Sequence, residues 1–251
     1  MPAPPAGWRL VAPDAQPVAG ALVLPQRLLD DGDCPALVVH RVSPPAITCG
    51  RSQMGGIDMQ AARAAGIDVL PRASGGGPVL WDDDLIAIDV VLPTGHPLLP
   101  TDVVAAYRWV GEAVSTALGA LGVPGARTVP PDEARAWGDA GPASPLCFGG
   151  MSPWEVVSGH RKVLGLSQVR RQAGAIIQAG VPMRLDAERL ARAVGAPPDA
   201  PSHLTDYAAG IAELGVRASR GDVEDALVEA LQAAGSPAGT PTTGRMPGTR
   251  G

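Results

Sequence analysis

The chain has 251 residues, a formal charge of -5, 45% hydrophobic residues, 32 Gly and 27 Pro. Apolar residues arranged in periodic runs exclude a collagen or a fully disordered chain, and the acidic balance excludes a general nucleic-acid binder. Three cysteines without CxxC spacing and four scattered histidines supply neither a disulfide framework nor a metal box.

Residues 1–18, rich in Pro and Ala, read as an irregular N-terminal segment. Ala19–Asp30 predicts a short helix, entered or broken at Pro25. Ala36–Val42 and Ala46–Cys49 read as strands joined by the Ser43-Pro44-Pro45 turn. Ile57–Ala65 predicts a helix stopped at Gly66, and Ile67–Leu70 a strand running into Arg72-Ala73-Ser74-Gly75-Gly76-Gly77. Val79–Trp81 and Leu85–Leu92 predict a hairpin around the acidic turn Asp82-Asp83-Asp84. Thr101–Leu121 carries the best helical stripe (Val103, Val104, Tyr107, Val110, Val114, Leu118), with Thr101 or Asp102 as cap. Residues 122–146 are weakly patterned, a long loop or a few short elements. Trp154–Val157, Lys162–Arg170 and Ala175–Gln178 then predict a three-strand meander. Residues 186–195 and 220–234 read as amphipathic helices, and 235–251 as a disordered tail. The sum is an α/β fold of α+β type, with a mixed, largely antiparallel sheet and flanking helices. Residues 19–234 are expected to form one domain with a short helical C-terminal part. No run approaches the ~18 apolar residues of a membrane span, and no charged-then-apolar leader opens the chain. A cytoplasmic protein without membrane contact is expected.

Three segments carry chemistry. In Ser74-Gly75-Gly76-Gly77 the glycines let backbone N–H groups approach a ligand, with Ser74 and Arg72 able to bind an anion or carbonyl. A tight turn between strands is an equal reading of that segment alone. In Pro145-Leu146-Cys147-Phe148-Gly149-Gly150 the cysteine is a candidate nucleophile, although an ordinary buried thiol is the commoner case. In the third, Lys162 opens a strand that Gly165 interrupts, and a mid-strand glycine marks the close approach of a ligand or another backbone. Of the 20 basic residues 19 are arginine, so Lys162 is the sole lysine; Phe148 is likewise the sole phenylalanine.

Taken in order, these segments resemble the lipoate branch of the biotin/lipoate protein ligase family, over about residues 20–215. Arg72 through Asp82 or Asp83 matches its Arg-x-Ser-Gly-Gly-Gly-x-Val-x-x-Asp stretch, and Gly50-Arg51-Ser52-Gln53 its Gly-Arg-x-Gln. Gly159/His160 through Arg170 matches Gly-x-Lys-x-x-Gly-x-x-Gln-x-Arg with one extra residue before Lys162. Cys147-Phe148 followed by Ser152-Pro153-Trp154-Glu155 is similar to the cysteine-dependent octanoyltransferases of that family. The resemblance implies the biotin/lipoate ligase catalytic-domain fold, Cys147 and Lys162 as catalytic residues, and a substrate site at Arg72, Ser74, Gly75, Gly76, Gly77, Gly165 and Gln168. It implies an octanoyl or lipoyl group passed from acyl carrier protein, through a Cys147 thioester, to a lysine of a lipoyl-domain protein such as glycine cleavage H protein or a 2-oxoacid dehydrogenase E2. No cofactor or metal is then needed. The alternative is a lipoate-protein ligase using ATP and Mg2+; a second is a non-catalytic binder of acyl groups or carrier proteins. Arg161, Arg170 and Arg171 are candidates for a carrier-binding patch. The chain departs from the family at Pro71, Trp81 and Ala179, where an arginine and two histidines are usual.

Overall fold

The computed structural model describes residues 7–32, 34–140, 146 and 148–236, without the side chains of 138–140. Its elements in chain order begin with β1 (Arg9–Val11), α1 (Val18–Asp31), β2 (Ala36–His40), β3 (Ala46–Gly50), α2 (Met59–Ala64), β4 (Asp68–Arg72), β5 (Val79–Trp81) and β6 (Leu85–Pro93). There follow α3 (Val103–Ala120), β7 (Ala126–Thr128), α4 (Pro131–Ala140), β8 (Val156–Ser158), β9 (Arg161–Arg171) and β10 (Gly174–Pro182). Three helices end the described chain: α5 (Ala187–Val194), α6 (Ala200–Tyr207) and α7 (Arg220–Gly235).

Seven strands form one mixed sheet in the order β1-β2-β6-β10-β9-β8-β7, and three form a smaller sheet in the order β4-β3-β5. In the large sheet every pairing is antiparallel except the edge pair of β1 and β2. Side chains alternate across its two faces. Leu37, Val39, Ile86, Ile88 and Val90 point into a core shared with Val110, Val114 and Leu118 of α3 and Leu227 and Leu231 of α7. The opposite face meets α1 through Val38, Val91 and Ile176, and beyond α1 it faces a cavity roofed by the small sheet.

Three local expectations are corrected. Residues 9–11, within the segment read as irregular, add a parallel strand to the sheet edge. Pro25 does not break α1; the helix runs through it. An internal proline removes one helix hydrogen bond, and here the face Val18, Ala21, Pro25 and Leu29 is buried, which offsets that loss. Val79–Trp81 and Leu85–Pro93 do not pair as a hairpin. Strand β6 has both edges taken by β2 and β10, so β5 pairs with β3 in the other sheet. The predicted meander is present as β8, β9 and β10. Residues 122–140 contain β7 and α4, and residues 235–251 extend beyond the described part after Ser236.

Candidate active site

The cavity between the two sheets has a volume of about 690 Å³. Its floor is the large sheet, where the strand register aligns two rows. Gly165 of β9 stands beside Gly180 of β10, which stands beside Ala87 of β6. Two residues along, Ser167, Gln178 and Asp89 align in the same way. The first row is small and apolar; the second is polar.

The ring of Phe148 fills the space that the glycine row leaves. A β-carbon on Gly165 would meet its Cζ at 3.3 Å, and one on Gly180 at 3.9 Å. Phe148 has φ 72°, a left-handed backbone that costs a non-glycine residue about 1–2 kcal/mol. Burial of its ring, 6% exposed, holds it there. The close approach expected at Gly165 is therefore to this ring, and Gly165 also lines the cavity.

Lys162 is 4% exposed. Its Nζ lies 2.7 Å from Glu155 Oε2, donates to the Gly150 carbonyl at 2.9 Å, and sits 5.3 Å from the Phe148 ring centroid. Glu155 is buried too, and it does more than neutralise the lysine. Its Oε1 accepts from Leu166 N–H and its Oε2 from Ser152 N–H, at 2.9 and 2.7 Å. One carboxylate thus joins the segment before β8, strand β9 and the lysine. A buried ion pair of this kind is sustained only when its remaining lone pairs are hydrogen-bonded, as they are here. An ammonium has three donors; these contacts leave one for a ligand in the cavity.

Arg72 turns out to be a scaffold for the glycine loop. Its Nη1 donates to the Thr48 carbonyl at 2.8 Å and its Nη2 to the Gly75 carbonyl at 2.8 Å. Gly50 N–H donates to the Gly76 carbonyl at 3.0 Å, so β3 carries the loop from both sides. Gly76 needs its positive φ of 101°, and a β-carbon there would strike the Arg72 guanidinium. Gly75, Gly76 and Gly77 line the cavity. Ser74 is buried and donates to Gln178 Oε1 at 2.5 Å, tying the loop to the floor.

Gln168 falls outside the cavity lining; its Oε1 accepts from Arg170 Nε at 2.7 Å. The residue that serves the floor is Gln178, which also accepts from Ser167 Oγ at 3.2 Å. Arg170 is likewise engaged, donating to the Pro100 and Thr101 carbonyls at 2.7 and 3.0 Å ahead of α3. Cys147 lies outside the described residues; its sequence neighbours Leu146 and Phe148 both line the cavity. Glu155 and the pair His40–Asp89, joined at 2.9 Å, were not singled out from sequence. For Glu155 the Ser-Pro-Trp-Glu stretch was an available signal. Among the described residues, no three His, Cys, Asp or Glu side chains cluster as a metal site, and no helix is long and apolar enough to cross a membrane.

The site combines a mixed sheet, a buried lysine and a glycine loop around one cavity, which comparison with known proteins shows to be the frame of a catalytic domain of the lipoate-ligase type. Residues 21–232 match the family model of the lipoyl protein ligase A/B catalytic domain, and the chain belongs to that family. It is similar to octanoyltransferase LipM of an Exiguobacterium species, 36% identical over 159 residues, covering 62% of this chain and 57% of that protein. It is 32% identical to octanoyltransferase LipM of Geobacillus kaustophilus over 190 residues, covering 73% and 68%. The matched part thus spans a little over half to about two thirds of these relatives. The fold is shared with a crystal structure of lipoate-protein ligase A bound with ATP (TM-score 0.71, 20% identity, 90% of this chain and 84% of that one). It is shared equally with a bi-partite lipoate protein ligase from Thermoplasma acidophilum (TM-score 0.71, 18% identity, 92% and 84%).

Proposed function

We propose that this chain is a cysteine-dependent acyltransferase of lipoate metabolism, moving an octanoyl or similar medium-chain acyl group from acyl carrier protein to a lysine of a lipoyl-domain protein in the cytoplasm. The observation that carries the reading is Lys162, buried and aimed by Glu155 and Gly150 beside the segment that contains Cys147. In the first step the Cys147 thiolate attacks the thioester carbonyl. The Lys162 donor that remains stabilises the oxyanion, and collapse expels the carrier thiolate, leaving acyl-Cys147. In the second step the acceptor amine attacks that thioester; an amide forms, the amine loses a proton, and the Cys147 thiolate leaves. Thioester exchange is near isoenergetic and amide formation runs downhill, so neither ATP nor a metal is required. The resemblance to LipM proteins supports the same reading.

Incubation with octanoyl-acyl carrier protein in the absence of ATP tests it by intact mass. A gain of one octanoyl group, labile to hydroxylamine and abolished in Cys147→Ala, is expected. ATP-dependent formation of an acyl-adenylate without that adduct would replace it with the ligase reading. Neither product would leave a binder.

A further inference from the structure

The polar row on the cavity floor is not what a purely hydrocarbon tail requires. Asp89 is 2% exposed and lines the cavity, and no lysine or arginine pairs with it among the described residues. One oxygen, Oδ2, is bonded to Nε2 of His40, which is 1% exposed. The other ring nitrogen of His40, Nδ1, is buried without a partner. With a hydrogen on Nε2 the imidazole donates to the carboxylate. Trp81 meets this imidazole in a T-shaped contact, ring centroids 5.5 Å apart. Next to Asp89 in the register stands Gln178, whose Oε1 is already engaged by Ser74 and Ser167.

Lys162 Cε stands 3.7 Å from the position of a β-carbon on Gly165. From there Asp89 lies two strands across and two residues along the register, roughly 12 Å at ~4.8 Å per strand and ~3.3 Å per residue. That span is comparable to an extended medium-length acyl chain and the contact of its carbonyl with the ammonium. An acyl group whose carbonyl meets Lys162 therefore brings its distal carbons to Asp89. A saturated tail there strips water from the carboxylate and returns nothing, whereas a hydrogen-bond donor restores the lost bond. Resting on the acyl-transfer reading, we infer that this cavity takes a medium-chain acyl group with a hydroxyl on its distal carbons in preference to the plain saturated chain. The hydroxyl hydrogen is donated to Asp89, and its oxygen can accept from the Gln178 amide. Asp89 and Gln178 set specificity and take no part in the bond-making steps.

Direct binding of free acids to the full chain, read by calorimetry, tests this apart from any transfer activity. The probes are octanoate and octanoates hydroxylated at successive distal carbons. At least one hydroxylated acid should bind about tenfold more tightly than octanoate. Asp89→Leu should reverse that order. Because Asp89→Leu could disturb the sheet, Gln178→Leu provides a second arm and should shrink the preference severalfold. Octanoate binding as well as every hydroxylated acid overturns the inference, as does no measurable binding of any acid. An unchanged ranking in both folded variants overturns it too. Preferential binding without transfer from acyl carrier protein would keep the specificity and discard the transferase reading.

Discussion

Lys162 and Glu155 cannot be varied independently, because each removes the other from isolation in a dry place. Glu155→Gln keeps an oxygen for one backbone N–H but leaves the ammonium without its counter-charge and turns an NH2 towards a former donor. We expect a stability loss of roughly 3 kcal/mol in denaturant unfolding, together with at least a hundredfold slower transfer. Lys162→Met should destabilise by a similar amount, since it strands the carboxylate. Tyr107 reports on the same neighbourhood. Burial first, and the nearby Glu155 second, push its phenol up to about 12, against a smaller opposing pull from Arg170. The folded chain therefore holds this proton where the unfolded chain, with a phenol near 10, has released it. Stability from this group is complete below about pH 10 and falls as pH rises towards 12. Unfolding measured across that range should show a fall that Tyr107→Phe removes; equal slopes in both proteins would contradict the assignment.

At the scale of elements, close packing depends on positions with no side chain. Gly111 of α3 lies where a β-carbon would overlap the Trp154 carbonyl, and a backbone atom cannot step aside as a side chain can. Gly111→Ala should cost roughly 3 kcal/mol, at the upper end for overpacking, and separate α3 from the segment leading into β8. Gly165→Ala is milder, because the neighbour at 3.3 Å is a ring edge. It should cost about 1 kcal/mol while lowering transfer more than stability, by displacing the ring of Phe148, the residue that follows Cys147 in sequence. The strands themselves were legible in sequence where a largely apolar run was bounded by Gly, Pro or Ser, as in β2 and β10. Sheet membership was not. Trp81 and Leu85 read as two sides of a turn, and only the long-range claims of β2 and β10 on β6 divide them. Helix α6 was missed because Ala200-Pro201-Ser202-His203 carries no apolar stripe to announce it. The site divides in the same way. Arg72, the glycine loop, Cys147 and Lys162 belong to contiguous motifs, whereas His40 and Asp89 each sit as one polar residue within an apolar strand. Their pairing exists only across the sheet.

At the scale of the whole molecule, the last helix is built into the architecture rather than appended to it. Its capping box joins Ser219 and Asp222, and its apolar face closes the main core. From its first turn Arg220 reaches the carbonyls of His40, Asp83 and Leu85, while Glu224, 2% exposed, receives both Arg220 and Arg41. Arg220→Ala removes a partly buried member of that network and should lower stability by roughly 2–4 kcal/mol, read from the shift of the unfolding midpoint. A shift no larger than that of the exposed Arg108→Ala would show the network to be ornamental.

Those three carbonyls have a further meaning. The polypeptide leaves the large sheet after His40 and returns to it at Leu85, and the chain between, including the roof of the cavity, is covalently continuous with the sheet through these two crossings. One guanidinium grips both. The gap proposed for the acyl chain is thus bounded by a segment whose two roots are pinned together from outside, by a residue that lines no part of it. Affinity for the acyl group should follow the integrity of that pin, so that octanoate binding weakens in Arg220→Ala although every residue facing the ligand is unchanged.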